Sequence, residues 1–421
     1  MTVIPLDEVR FHPHSFGDPA GRLFWWRGEL YRGVRASAAP FVVELAERVL
    51  PRLVEKRFVP PTTLTDFTLE GFEVVMRHEQ VLFTAYPNEW CPAMLREASI
   101  LYLDLVVELA GDGLGIKDMN PWNIVFDGVH PLFVDVMSIA PVEDCVRSFS
   151  EERFRRYYLS PLRLMEQGHS GLARALLPEY GGVQPETLAL ISGGAQPPFR
   201  RLGARFRRPS ADPVALARAL SQEVEAVQMH SDAALDGNEA DETEVAGVLD
   251  DIAPSSVVEL RTSTGNAALS AARGDACGIA FFDSDEHANA AFAVARAEDL
   301  WLLPLVLDFT KATPAIGFFD HFSIAAVERL RCELVVGGDA VRYAVVDRLL
   351  PFEHVVEALW AFSKRDVLAQ LPARSSLPDY VLERAPWYGE PAFSDALRSR
   401  FSEVRLSSSE ETSSDLFLCR K

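Results

Sequence analysis

Hydrophobic and polar positions change their period several times along this chain. Residues 22–35 alternate around Arg27-Gly28, which predicts two strands joined by a tight turn. Phe41, Leu45, Val49, Leu50 and Leu53 then follow helical spacing. Val74–Met76 and Val81–Tyr86 read as a further strand pair. Met94–Leu109 is strongly apolar and predicts a buried helix. Residues 150–228 are helical in pattern, interrupted at Gly181-Gly182 and Gly193-Gly194. From Ala219 to Leu260 there is no Lys or Arg, and Asp232–Glu244 is acidic and polar, as in an exposed linker. Beyond it, apolar runs at Val257–Leu260, Gly278–Phe282, Leu302–Asp308 and Glu333–Val336 predict strands. Between and after them, Ala267–Arg273, Glu286–Ala297 and Phe352–Phe362 predict helices. Such alternation predicts a parallel, doubly wound sheet. There is no internal repeat. The expected fold class is α/β in two parts.

Bulk properties narrow the function classes. The 421 residues are 48% hydrophobic and carry a formal charge of -20, so a sizeable core is expected and nucleic acid is a poor partner. Cys91, Cys145, Cys277, Cys332 and Cys419 are scattered without CxxC spacing, as free thiols would be. No apolar run reaches the ~18 residues that span a bilayer, and Asp7, Glu8 and Arg10 leave no secretory h-region. A cytoplasmic protein without a membrane partner is the expectation.

One segment carries recognisable chemistry. Ile116-Lys117-Asp118-Met119-Asn120-Pro121-Trp122-Asn123 is followed by an apolar strand and then Phe133-Val134-Asp135. This is the layout of a kinase catalytic loop, with Asp118 to orient or deprotonate the acceptor and Asn123 and Asp135 to hold magnesium. Other parts are missing. There is no GxGxxG loop, and the strand that should carry a nucleotide-binding lysine offers Arg32 and Arg35. Arginine is not a drop-in replacement for lysine. The nearest lysine, Lys56, sits at a predicted helix end. ATP–magnesium is therefore not expected, and Asp118, Asn123 and Asp135 are expected to stabilise turns.

The second half adds a cofactor-site layout. A strand–loop–helix at 257–270 is followed about 20 residues on by an acid, Asp283, placed to hold ribose hydroxyls. Asp308 ends the third strand, within reach of an adenine amino group. With Ile116–Phe126, Pro131–Ser138, Phe154–Leu164, Leu303–Asp308 and Thr313–Phe318 in order, the chain resembles class I S-adenosylmethionine-dependent methyltransferases that carry an N-terminal kinase-like domain, a group with nodulation-type and natural-product members. The resemblance implies a kinase-like α+β module over 1–148, a helical extension over 149–228, an acidic linker over 229–250 and a Rossmann-like methyltransferase domain over 251–421. It also implies S-adenosylmethionine as cofactor, held around Glu259, Arg261, Gly265, Asp283 and Asp308. The implied reaction is methyl transfer to a small or carrier-bound substrate in specialised metabolism. Tyr343 is the nearby catalytic base candidate, and no metal site is expected.

Three departures fall on that site. The family loop resembles D-L-G-x-N-T-G, whereas here it reads Glu259-Leu260-Arg261-Thr262-Ser263-Thr264-Gly265. Paired histidines after the fourth strand become Arg342-Tyr343, and no W-x-x-Y segment stands near 229–250. Arg261 either points to solvent or pairs with Glu259 or Asp283 and leaves the cofactor room, or fills the methionine site. The second case defines a rival class, a non-methylating descendant such as a partner subunit, lyase, isomerase or cyclase; a kinase using Asp118, Asn123 and Asp135 is a third. Arg200, Arg201, Arg205, Arg207 and Arg208 form the one dense basic cluster, expected as a solvated face or a partner for the acidic linker. His12 and His14 lack a third metal ligand, and Trp25, Trp26, Trp90 and Trp122 are expected in the core.

Overall fold

The computed structural model describes residues 2–15, 17–145, 149–178, 181–191, 212–229, 233, 235, 239–317, 322–407 and 414–421. The Arg200–Arg208 cluster and Gly193-Gly194 lie outside the described residues. The chain divides into two compact units. The first is residues 1–88, 92–229 and 316–323; the second is residues 89–91, 230–315 and 324–421.

In the first unit, β1 (Arg10–Phe11), β2 (Gly21–Trp26), β3 (Glu29–Val34), β4 (Thr62–Leu64) and β5 (Val74–His78) form an antiparallel sheet in the order β1-β2-β3-β5-β4. The β2–β3 turn is the one the alternation predicts: Arg27 and Gly28 both take positive φ, 52° and 80°, as a two-residue hairpin loop requires. Phe24, Trp26, Tyr31 and Val75 bury one face of this sheet with Ile4 and Leu69. The single helix expected over 41–53 is instead two, α1 (Ala39–Arg48) and α2 (Leu50–Glu55). Pro51 lacks the N–H that would continue α1, and it sits in the first turn of α2, where that loss is harmless. Val81–Tyr86 is not a strand. Phe83 and Tyr86 are buried, so the alternation there reports burial, and β5 pairs with β3 and β4. Helix α3 (Pro92–Ala110) is buried on most of its faces, as its apolar run predicts. It leads into β6 (Leu114–Ile116), the Asp118 loop, and the hairpin β7 (Ile124–Asp127) and β8 (His130–Phe133). Strand β9 (Ile139–Pro141) pairs back onto β6, and α4 (Pro213–Glu225) closes the described part of the helical extension.

The second unit opens on α5 (Glu239–Ile252), which runs through the second half of the stretch expected as linker. The reason lies in Val245, Val248, Leu249 and Ile252, whose i, i+3, i+4, i+7 spacing lays an apolar stripe against the core. The strands β10 (Ser256–Thr262), β11 (Cys277–Phe282), β12 (Leu302–Val306), β13 (Cys332–Gly337), β14 (Ser363–Pro372), β15 (Glu403–Ser407) and β16 (Ser414–Arg420) form one sheet. Its order is β12-β11-β10-β13-β14-β16-β15. The first five are parallel and β16 alone runs against its neighbours. Helices α6 (Asn266–Arg273), α7 (Asp285–Glu298) and α8 (Phe352–Phe362) follow β10, β11 and β13, as expected from the alternation. Val257, Val258, Ile279, Leu303, Leu334, Val335 and Val367 are fully buried, which is the both-faces burial of a parallel sheet. Strand order reverses between β10 and β13, which opens a crevice at their carboxyl ends. Among the described residues no helix is long and apolar enough to cross a membrane. All five cysteines are free thiols.

Candidate functional site

The carboxyl ends of four neighbouring strands bring together most residues that the sequence singled out. Read across the sheet, they are Asp308 after β12, Asp283 after β11, Arg261 near the end of β10 and Asp339 after β13. Arg261 takes φ +56, a left-handed backbone that a glycine adopts freely and an arginine does not. The loop has thus kept a glycine's conformation without the glycine. Thr262 Oγ1 accepts the N–H groups of Thr264 (3.1 Å) and Gly265 (2.8 Å) and fixes the turn into α6. Gly265 is required at φ +68, since a Cβ there would lie 2.8 Å from the Phe282 ring.

The Arg261 side chain turns toward its neighbours rather than into solvent. Its Nη2 is 3.1 Å from Asp283, its Nε is 3.6 Å from Asp339, and its guanidinium lies 3.7 Å over the Tyr343 ring. The Nε is buried and has no hydrogen-bond partner. Glu259 does not pair with it. That carboxylate lies beneath the loop, where it accepts the N–H of Ala268 at 3.2 Å. Burial pushes its pKa up, against hydrogen bonds from Thr262 and the α6 backbone that pull it down.

Asp308 and Tyr343 form the other half of the site. Asp308 Oδ1 accepts from the Thr310 N–H (3.0 Å) and hydroxyl (2.6 Å), and Oδ2 accepts from the Tyr343 hydroxyl (2.9 Å) and Arg348 (2.7 Å). Burial raises the Asp308 carboxyl, but these donors more than offset it and hold it below the usual carboxylate range. One π-helical turn, Tyr343–Asp347, sets Arg348 beside Tyr343, whose hydroxyl oxygen accepts from Arg348 at 2.6 Å. Burial and the Asp308 contact push the Tyr343 phenol up. Tyr343 is thereby kept protonated, with its hydroxyl donating a hydrogen bond to Asp308. Arg342 forms a bidentate pair with Asp339 at 2.5 and 3.0 Å. Asp339, Thr310 and Arg348 were not among the sequence candidates. No periodic signal marked Asp339 or Arg348, since one follows a strand end at the crossover and the other a π turn.

The kinase-like loop is also turned inward. Asp118 accepts from the Asn123 side-chain amide and from the Asn120 N–H, each at 3.2 Å. Asp135 accepts from the Ser138 hydroxyl. These contacts stabilise the local turns of the loop. Burial, then the Asp118 charge, raises the Tyr102 hydroxyl well above its usual range. Lys56 pairs with Glu108 at 2.7 Å, and Arg35 is exposed. Among the described residues, no group of three His, Cys, Asp or Glu side chains could hold a metal ion. The ring of His12 lies tilted by 32° against Trp25, with ring centroids 4.4 Å apart. Trp26 and Trp90 are buried as expected, while Trp25 and Trp122 are only half-buried.

No protein-family model matches the chain. The nodulation protein NoeA of Rhizobium meliloti (strain 1021) is 31% identical over 155 residues, 36% of this chain. The chain spans about a third (32%) of the length of that curated relative. Among solved structures, the bifunctional kinase-methyltransferase WbdD aligns with TM-score 0.32 at 16% identity, over 44% of this chain and 39% of that one. TehB from Haemophilus influenzae aligns with TM-score 0.30 at 12% identity, over 42% and 62%. The parallel sheet with its single reversed strand β16 has the class I methyltransferase arrangement. The second sheet thus has the class I methyltransferase fold, and over 155 residues the chain is similar to NoeA.

Proposed function

We propose that the C-terminal domain transfers a methyl group from S-adenosylmethionine to a small or carrier-bound substrate, with Arg261 as a displaceable cover on the cofactor crevice. The observation that carries this reading is the convergence of Gly265, Asp283 and Asp308 at the carboxyl ends of three adjacent parallel strands. This donor set fits the cofactor. Asp283 would hold ribose hydroxyls, Asp308 would face the adenine, and the loop ending at Gly265 would admit the amino-acid part. When bound, the cofactor supplies an electrophilic methyl group. The chain's own part is orientation and control. Arg261 must leave Asp283 for that carboxylate to be available. Its pair with Asp283 is partly exposed and its Nε makes no hydrogen bond, so release costs about 1–2 kcal/mol, or about ten-fold in affinity. Tyr343 keeps its proton, with its hydroxyl donating to Asp308, and so does not supply a base in this arrangement.

A second reading is favoured by the same residues. The carboxylates at these strand ends already have partners: Asp283 in Arg261, Asp308 in Arg348 and Tyr343, and Asp339 in Arg342. A crevice neutralised from within suits a non-methylating descendant. Titration calorimetry with S-adenosylmethionine separates the two. The proposal expects measurable binding that is lost in Asp283→Ala. No binding to folded wild type, and none to Arg261→Gly, leaves the non-methylating reading.

A further inference from the structure

The N-terminal unit carries a buried cation whose partner comes from an informative place. Arg32 lies on β3, the third strand of the five-stranded sheet, and its side chain is only 5% exposed. In protein kinases the third strand carries the phosphate-binding lysine, the loop between the first two strands covers the phosphates, and the lysine also pairs with a glutamate of the following helix. Here the helix that follows, α1, does not supply that partner: Glu44 pairs with Arg48 in solvent. Arg32 Nη1 instead donates to Asp18 Oδ2 at 3.0 Å. Asp18 stands in the 12–20 loop, between β1 and β2, and its Oδ1 accepts the Ala20 N–H at 2.8 Å.

Around this pair the site remains under-satisfied. Arg32 Nε is buried without a hydrogen-bond partner. Close by is His78 on β5. Its Nδ1 lies 2.9 Å from the Thr62 hydroxyl, which itself donates to the Pro60 carbonyl, so Nδ1 carries the proton. Nε2 is left as a buried nitrogen with no partner. Burial, then the charge of Arg32, lowers His78 to about 3, so it is neutral and adds no second cation. A buried guanidinium needs an anion. In this chain that anion comes from the loop that elsewhere covers phosphate.

We propose that the kinase-like module contains an oxyanion site at Arg32 which the chain fills with its own Asp18 carboxylate, so that a phosphate group enters only in exchange for Asp18. The site is self-liganded. This accounts for the absence of a glycine-rich loop, since the 12–20 loop provides a carboxylate where such a loop would offer backbone N–H groups.

The test is thermal unfolding of the full chain in inorganic pyrophosphate, compared with sodium chloride at equal ionic strength. Wild type is expected to show the same midpoint in both. Asp18→Asn is expected to unfold at a lower temperature in chloride and to regain several degrees in pyrophosphate. The double variant Asp18→Asn/Arg32→Gln is expected not to respond. Asp18→Ser, which can keep the turn to Ala20, is run beside Asp18→Asn. If neither single variant folds in chloride, recovery on refolding in pyrophosphate supports the site, and failure in both media overturns it. A pyrophosphate response in wild type equal to that of the variants, or no response in a folded single variant, also overturns it.

Discussion

At the scale of single residues, the informative one is an arginine in a glycine's backbone conformation. Arg261 at φ +56 carries a strain of about 1 kcal/mol, offset by its pairing with Asp283 and its stacking on Tyr343. The two contributions are separable. Arg261→Ala loses the side chain and keeps the strain, while Arg261→Gly loses both. In chemical denaturation the alanine variant is expected to be the less stable, by about 1 kcal/mol; equal stability would show that the loop relaxes. Glu259 offers a pH test. Its folded pKa is raised, so its favourable contribution is complete below its unfolded value and is lost as pH rises through the folded one. Glu259→Gln does not titrate. Its stability relative to wild type is expected to improve as pH rises from the ordinary carboxylate range toward 8, and a flat difference across that range would refute the assignment. Asp308 titrates in the opposite sense, because its donors hold it low: its contribution is present at neutral pH and lost in acid.

At the scale of elements, apolar spacing was a good guide wherever it coincided with a regular period. The four strands and three helices expected in the second unit stand within two residues or so of their expected places, because a buried parallel strand and an amphipathic helix leave different sequence patterns, whereas β14, β15 and β16 were not expected. It was a poor guide at Val81–Tyr86, where Phe83, Ala85 and Tyr86 are buried but the segment is not a strand. It was also overridden at Glu239–Ile252, where acidic composition masked a short apolar stripe. That helix can be tested. Leu249 is buried against Val257 and Leu334, so Leu249→Ala should destabilise the protein by about 2–3 kcal/mol in denaturant melts. An exposed linker would give almost no change. The candidate site was legible as a set of positions, because strand ends can be read from the sequence. The pairing scheme was not. Asp339 and Arg348 enter it through the crossover of the chain and a π turn, neither of which leaves a periodic signal.

At the scale of the whole molecule, the two units share a feature: each turns its conspicuous charged residues upon one another. In the first, Asp18 meets Arg32 and Asn123 meets Asp118; in the second, Arg261 meets Asp283. Within each unit these charges are satisfied by the chain's own residues. A cover held by partly exposed ions is sensitive to salt, unlike one held by apolar packing. S-adenosylmethionine binding to wild type is therefore expected to strengthen as sodium chloride rises toward 0.5 M, while Arg261→Gly shows no such gain by the same calorimetry. A wild-type affinity that falls with salt in parallel with the variant would contradict an ionic cover. The most direct test of the central claim is the ratio of S-adenosylmethionine dissociation constants for wild type and Arg261→Gly, measured by titration calorimetry at low salt. The account predicts that both bind and that the glycine variant binds about ten-fold more tightly; equal affinities, or no binding by either folded protein, would contradict it.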